Sequence, residues 1–235
     1  MVVEINLIIS LLKLTGTGSV LIESVNRDSR LPAEVTEKLL QNLQNQELVY
    51  LKGDLVEADT CGRLKLAVKA VSLGADVEQV SSLLCWQEFE EIAAFTLRNN
   101  SYEVAKNVRF KHGGRKWEID VVGCRKPLVV CVDCKHYHHG MSPSAMQKIA
   151  EAQVQRTKSL ADTLPNVTMK LDCASWDKAK FVPAILSLLP SRVKFCDDVP
   201  IVPVLQLQEF ISQLPVQVES LTYFRKEFSH LRHDS

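Results

Sequence analysis

The sequence predicts an α/β protein in which a mainly helical N-terminal domain precedes a larger domain with the element order αβββαβ. Two stretches rich in β-branched residues, 117–123 and 128–136, are typical of a hairpin at the centre of the larger domain. Amphipathic helical patterns lie before them at 86–98 and after them from residue 143. This alternation of helix and strand signals predicts the fold class.

The chain of 235 residues is long enough for two domains that each bury a core. The sequence Gly74-Ala75-Asp76 breaks the helical patterns, and Asp76 is a suitable cap for a new helix. We therefore expect an N-terminal domain at 1–76, a second domain at 77–214 and a polar C-terminal tail at 215–235.

Three short helical patterns open the chain, at 3–14, 19–26 and 32–46. A hairpin is expected next, because two apolar runs flank the turn Lys52-Gly53-Asp54. This order resembles a winged helix-turn-helix domain, which implies a recognition helix at 32–46.

The predicted recognition helix has a polar face that is unfavourable for phosphate. Its members are Glu34, Glu37, Lys38, Gln41, Asn42 and Asn45. The face has no arginine, and its carboxylates repel the nucleic-acid backbone. Two roles for the domain therefore stay open, DNA contact and a dimerisation or protein-contact module.

The central hairpin carries charged residues where a buried strand should have none. Asp133 and Lys135 end an otherwise apolar strand, and side chains two residues apart project from the same face of a strand. The hairpin brings Asp120 of the preceding strand alongside them. Two carboxylates and an ammonium group can hold one or two hard divalent cations and position a water molecule beside them.

Asp120, followed by Asp133-x-Lys135 at the end of an apolar strand, resembles the catalytic motif of the PD-(D/E)XK nuclease superfamily. Ile119 stands where the family pattern has proline, at a position that varies among members. The nearer resemblance is to the Mrr-type restriction endonuclease and archaeal Holliday-junction resolvase branch, and it covers residues 86–214. It implies a restriction-endonuclease-like core.

The resemblance also implies roles for individual residues. Asp120 and Asp133 would bind Mg²⁺ or Mn²⁺ together with the backbone carbonyl of Cys134, and Lys135 would position the attacking water. Members of the family carry a glutamate on the first helix, and the helical projection turns Glu90 towards the sheet. The alternative for Glu90 is an acidic residue at the edge of the core.

Basic residues are concentrated around this cluster. Residues 101–160 hold eleven Lys and Arg against five Asp and Glu, whereas residues 1–80 hold eight against eleven. We expect a DNA-binding surface, although a solvated face is the alternative. The predicted DNA-binding residues are Lys106, Arg109, Lys111, Arg115, Lys116, His136 and His138.

A zinc site is a competing interpretation, because Cys131 and Cys134 lie three residues apart and His136, His138 and His139 follow. Cysteines three apart on a strand face opposite sides, so they could share a zinc ion only if the segment were a loop. The apolar context favours a strand and argues against zinc.

The composition is that of an ordinary globular protein, and no run of eighteen apolar residues is present. Seven scattered cysteines without a secretory signal favour buried free thiols over a disulfide framework, in an intracellular protein. We expect a cytoplasmic protein that does not enter a membrane.

Together these features predict a divalent-metal-dependent DNA endonuclease, a homodimer that acts in DNA repair, recombination or restriction. The alternative is a non-catalytic DNA-binding or regulatory protein that uses a winged helix and a nuclease-like scaffold. The charged set is complete, since Asp120, Asp133 and Lys135 are all present, and this favours activity.

Overall fold

A computed structural model describes residues 2–135, 143–165, 171–190 and 193–228. The chain divides into two compact units, and the division falls after Glu88. The predicted boundary lay at residue 76. The observed division lies twelve residues later, so the short helix that starts at Val77 belongs to the first unit. That residues 1–76 fold as an independent domain stays a prediction. No helix in the described ranges combines the length and apolar character needed to cross a membrane.

The first unit has the predicted order of three helices and a hairpin, with an additional two-residue strand. Its elements are α1 (Val2–Leu14), β1 (Val20–Leu21), α2 (Ile22–Ser29), α3 (Ala33–Asn45), β2 (Tyr50–Lys52), β3 (Leu55–Glu57), α4 (Thr60–Ser72) and α5 (Val77–Ser82). The strands form a sheet in the order β1-β3-β2. The role of this unit as a winged helix stays a prediction.

A buried arginine holds several elements of the first unit together. Arg63 of α4 donates to the carbonyl oxygens of Leu12 at 2.7 Å and Leu83 at 2.8 Å, and to the hydroxyl of Thr15 at 3.0 Å. Its Nε lies 2.6 Å from Oε1 of Glu88. Because a buried charge without partners is costly, α4 depends on the segment that ends at Glu88.

The second unit confirms the predicted αβββαβ order. This core consists of α6 (Trp86–Asn99), β4 (Glu103–His112), β5 (Arg115–Arg125), β6 (Leu128–Lys135), α7 (Pro143–Thr163) and β7 (Lys178–Ser187). In the described part of the chain, the core is followed by β8 (Phe195–Cys196), β9 (Val199–Pro203), α8 (Leu207–Gln217) and β10 (Phe224–Glu227).

The sheet of the second unit is mixed. Its described strands follow the order β4-β5-β6-β7-β9-β8, and β10 also pairs with β7. The pairs β4–β5 and β5–β6 are antiparallel, whereas β6–β7 and β7–β9 are parallel. The crossover through α7 makes β6 and β7 parallel. Because β6 lies between β5 and β7, it is an interior strand of the sheet, and this explains its apolar sequence.

The structure corrects the prediction of a polar tail at the C-terminus. Residues 215–235 were predicted as a polar tail, but α8 continues to Gln217 and Phe224–Glu227 pair with Phe181–Lys178 of β7. Phe224 packs against the core and Phe228 is buried in it. This strand has only four residues, one apolar and three charged, so no alternating pattern predicted it.

Helix α6 packs closely on β5 because of one glycine. A Cβ atom at Gly123 would lie 2.9 Å from Cδ2 of Leu97 and 3.3 Å from Cδ1 of Tyr102. Ser101, with φ of 62°, ends the helix by donating its backbone N–H to Arg98, while the N–H of Tyr102 bonds to Leu97. The close approach sets the helix that carries Glu90 against the sheet.

Candidate active site

Asp120 and Asp133 lie on neighbouring antiparallel strands. The register pairs Val121 of β5 with Val132 of β6, so the two aspartates are the next residues along each strand. The backbone N–H of Cys134 donates to Oδ2 of Asp120 at 2.7 Å. The strands thus bring the two predicted carboxylates together; their role in catalysis stays a prediction.

The carboxylate of Asp133 is almost fully enclosed, with 3% of the residue's surface exposed. Oδ1 accepts hydrogen bonds from Lys135 Nζ at 2.9 Å and from Arg156 Nη1 at 2.8 Å. Lys135 Nζ is also 2.9 Å from Oδ2, but without hydrogen-bond geometry, and Oδ2 is a buried acceptor without a hydrogen bond among the described residues. A buried carboxylate oxygen with unused lone pairs is suited to receive a cation or a water proton.

Glu90 faces the sheet from α6, as its helical position predicts, and is only 3% exposed. Burial raises its pKa, and the negative charge of Asp120 raises it further. The amide of Asn107 and the charge of Lys106 oppose this rise. The charges of Glu90 and Asp120 therefore repel each other, and Glu90 retains a proton more readily than an exposed glutamate does.

The pKa of Asp120 is also raised, first by burial and then by the charge of Asp133. The Cys134 N–H and the cations Lys135 and Arg156 lower it in part. Two like charges thus share a confined space, and a bound cation would relieve their repulsion.

The donors suit a hard divalent cation in kind. The structure places the carboxylates of Asp120 and Asp133 on neighbouring strands, with Glu90 near Asp120, and the resemblance adds the carbonyl oxygen of Cys134 as a predicted donor. Within the described ranges no group of three or more His, Cys, Asp or Glu side chains forms a ready metal cluster. Mg²⁺ commonly uses one or two carboxylates and completes its shell with water and substrate phosphate, so this donor set fits Mg²⁺ or Mn²⁺.

Arg156 was not predicted as a site residue, because the apolar residues that recur along its helix in the sequence leave Arg156 on the predicted outer face. It lies on α7, and its guanidinium is bonded to Asp133. The signal was present in the spacing, because Ile149, Gln153, Arg156 and Leu160 recur at intervals of four, three and four on one helical face. Because arginine is charged, the helical pattern alone did not indicate that Arg156 faces inward.

The five predicted basic residues lie on β4 and β5, but they differ in their partners. Lys106 pairs with Glu91 at 2.6 Å and Arg109 with Glu118 at 3.0 Å, while Arg115 lies 4.2 Å from the ring centre of Trp117. Lys111 and Lys116 are cross-strand neighbours, exposed, and without an ion pair among the described residues. The predicted His136 and His138 lie outside the described residues.

The zinc alternative is not supported by the part of the site that is described. Cys131 and Cys134 belong to the continuous strand β6, and Cys131 is fully buried in the core. Burial raises the pKa of both thiols. The three histidines of this hypothesis are outside the described ranges. All seven cysteines are free thiols, and Cys85 is exposed where burial was expected.

Residues 86–167 match the family described as NERD, the nuclease-related domain. This stretch begins at α6 and extends past α7, so it includes Glu90, Asp120, Asp133 and Lys135. No curated protein matches the chain.

Three solved structures are similar at low identity. The crystal structure of protein VC1899 from Vibrio cholerae has a TM-score of 0.38 and 12% identity, over 93% of this chain and 53% of that one. The restriction endonuclease FokI has a TM-score of 0.32 and 16% identity, over 93% and 45%. FokI bound to DNA has a TM-score of 0.30 and 16% identity, over 92% and 45%. The chain spans about half the length of these proteins.

The predicted resemblance to restriction-endonuclease-like nucleases is confirmed by the family match and by the αβββαβ core. The winged-helix resemblance of residues 1–76 is not confirmed.

Proposed function

We propose that this protein is a divalent-metal-dependent DNA endonuclease that acts in DNA repair, recombination or restriction. The observation that carries the proposal is the buried Asp133 carboxylate, which lies beside Asp120 and Lys135 within a stretch similar to a nuclease-related domain. Oδ2 of this carboxylate is buried and accepts no hydrogen bond from the described residues. Such an acceptor is costly for folding alone, and its cost is understandable if it binds a ligand.

The cation in this proposal is Mg²⁺ or Mn²⁺, held by Asp120, Asp133 and the carbonyl oxygen of Cys134. A bound divalent ion lowers the pKa of a coordinated water and neutralises the phosphodiester charge. The hydrogen bond from Cys134 N–H fixes the Asp120 carboxylate before any ligand arrives, so little reorganisation is needed.

Two further side chains act on the attacking water. Lys135 Nζ, already 2.9 Å from Asp133, orients the water oxygen and stabilises the negative charge that develops on the phosphate. Glu90, whose pKa is raised by burial, accepts or returns a water proton at its carboxylate. Both are fixed by elements that pack in the core.

DNA contact is assigned to the hairpin of β4 and β5. Lys111, Arg115 and Lys116 present charges that no carboxylate of the described residues pairs, whereas Lys106 and Arg109 reach DNA by exchanging their glutamate partners for phosphate. His136 and His138 are proposed to contact phosphate as well. A cytoplasmic homodimer remains the expected state.

The experiment that tests the proposal is a cleavage assay with duplex, branched and single-stranded DNA in Mg²⁺ or Mn²⁺. Wild-type protein is expected to cut at least one substrate and to stop when the metal is chelated. An Asp133→Asn variant purified in parallel keeps the side-chain shape and is the control for contaminating nuclease. Absence of cutting by the wild type, or equal cutting by the variant, contradicts the proposal.

A non-catalytic DNA-binding or regulatory role is the second candidate. It is favoured by the neutralisation of Asp133, which Lys135 and Arg156 already achieve without a metal. In that case the protein would bind DNA with the same affinity with and without divalent metal, and it would cut none of the substrates.

A further inference from the structure

We propose that Arg156 is a further catalytic residue, which binds a non-bridging oxygen of the scissile phosphodiester with the part of its guanidinium that Asp133 leaves free. This inference rests on the proposed function of the same site. It assigns a phosphate contact to α7, an element to which the sequence motif gives no role.

Helix α7 is fixed against β6 at a point about one helical turn before Arg156. The side chain of Gln153 is fully buried, and its Nε2 donates to the backbone carbonyl of Cys131 at 2.7 Å. Cys131 lies on β6, two residues before Asp133. This bond sets the height of the helix along β6, and so the Arg156 side chain extends from a rigid anchor.

Towards the described residues, the guanidinium forms hydrogen bonds through one of its nitrogens, Nη1. Nη1 donates to Asp133 Oδ1 at 2.8 Å and lies 3.5 Å from Oε1 of Gln153. Among the described residues no acceptor bonds to Nε or Nη2. The side chain is 26% exposed, so these donors are open to a ligand. The guanidinium is planar and Asp133 holds its Nη1. Its Nε and Nη2 can therefore donate to a second acceptor that lies in the same plane.

The charges explain why that acceptor should be phosphate. Lys135 and Arg156 together balance Asp120 and Asp133, so the cluster is close to neutral before a ligand binds. A divalent cation adds positive charge, and the phosphodiester is the anion that can restore the balance. Phosphoryl transfer spreads negative charge over the non-bridging oxygens, and a prepositioned arginine stabilises that charge more than it does the ground state.

The competing explanation is that Arg156 acts only through Asp133, as its counter-ion. The two explanations differ in what removal of the guanidinium changes. A counter-ion affects stability and the placement of Asp133, whereas a phosphate contact also affects DNA affinity and its dependence on salt.

The test compares Arg156→Ala with Lys158→Ala, which removes the same charge from an exposed position on the same helix. DNA affinity is measured without divalent metal over a range of salt concentrations. Each phosphate contact contributes about 0.9 to the slope of log affinity against log salt. Arg156→Ala is expected to lower that slope by about 0.9, and Lys158→Ala is expected to leave it unchanged.

Cleavage is then followed in a single turnover with Mg²⁺. Arg156→Ala is expected to be slower by about 100- to 1,000-fold, as for removal of one transition-state donor, and added guanidinium ion should restore part of the rate. Arg156→Lys retains the charge without the planar group and should remain at least about tenfold slower. This second variant serves if the alanine variant does not fold.

The outcomes separate the inference from the proposed function. If the wild type cuts no DNA but Arg156→Ala lowers the salt slope, the phosphate contact is supported and the nuclease proposal fails. If the wild type cuts, and Arg156→Ala matches Lys158→Ala in rate and slope, the inference is overturned. A slower variant with an unchanged slope and no rescue by guanidinium also overturns it, because Arg156 then acts only on Asp133.

Discussion

The backbone N–H of Cys134 donates to Oδ2 of Asp120 at 2.7 Å. Cys134 stands between Asp133 and Lys135, so this one bond joins the first carboxylate to the strand that carries the other two charged groups. The bond holds Asp120 in place although burial and the charge of Asp133 raise its pKa. The site is therefore built before any ligand binds, and its members can be tested separately.

Asp133→Ala is expected to abolish cleavage and to leave DNA binding unchanged or slightly tighter. The change removes a proposed metal ligand and a charge that repels phosphate. Loss of an outer partner of a metal site costs about 10- to 100-fold, so loss of a ligand should reduce the rate by at least about 100-fold. Rates and affinities are measured in Mg²⁺ and in Ca²⁺ respectively. Cleavage at the wild-type rate would refute the assignment of Asp133.

The hairpin is expected to supply the salt dependence of DNA binding. Lys111→Ala combined with Lys116→Ala removes two exposed cations that have no ion-pair partner in the described part of the chain, and should lower the salt slope by about 1.8. The control is Lys178→Ala combined with Lys226→Ala, which removes two lysines from the paired strands β7 and β10.

Equal slopes for the two double variants would show that the hairpin has no special role. The full set extends the test to Lys106, Arg109 and Arg115. If neutralising all five residues leaves affinity and slope untouched, the basic excess is only a solvated face.

Glu90→Gln is expected to change how stability depends on pH. Because the pKa of Glu90 is raised in the folded state, its contribution is present below the ordinary glutamate pKa and is lost as pH rises through the raised value. Glutamine has no proton to lose, so as pH rises above the ordinary glutamate pKa the variant should gain stability relative to the wild type. Urea unfolding of metal-free protein, followed by circular dichroism, measures this.

The neighbouring residue provides the control with the opposite sign. The hydrogen bond from Lys106 lowers the pKa of Glu91, so Glu91 stabilises the folded state above the ordinary glutamate pKa and loses that effect as pH falls. Glu91→Gln should therefore lose stability relative to the wild type as pH rises, by a small amount because the pair is half-exposed. Parallel trends for the two variants would contradict the assignment.

A fragment of residues 1–88 is expected to be more stable than one of residues 1–76. The shorter fragment removes Glu88 and Leu83, both partners of Arg63, whose side chain is 5% exposed. Within the longer fragment Glu88→Gln should cost about 3 kcal/mol, while Glu37→Gln on the exposed face of α3 should cost almost nothing. Thermal melts followed by circular dichroism compare them, and equal melting of both fragments would place the boundary at residue 76.

Removal of residues 1–75 is expected to reduce targeting or assembly more than chemistry, because every proposed metal ligand lies in the second unit. A truncated protein that is monomeric where the full chain is dimeric would indicate assembly. Lost DNA affinity at unchanged mass would indicate a working winged helix. If residues 76–235 are insoluble or unfolded, the domain boundary is wrong.

Short-range patterns made much of this protein predictable from its sequence. The period of two along β5 and β6 and the short turn between them determined that Asp133 and Lys135 share a face near Asp120. The period of 3.6 in α6 turned Glu90 inward. These positions depend on residues close in the chain, and so the αβββαβ order and the core of the site followed from local rules.

Tertiary packing alone decided which distant segments meet. Arg156 reaches Asp133 across 23 residues, and its charge suggested a solvated position until the helix was placed on β6. Phe224–Glu227 became a strand because β7 had a free edge for pairing there, which the polar sequence of the C-terminus does not reveal. Packing of the elements also gave Lys106 and Arg109 their glutamate partners, Glu91 and Glu118. The free energy of such contacts depends on geometry set by the whole fold, and no local periodicity encodes that geometry.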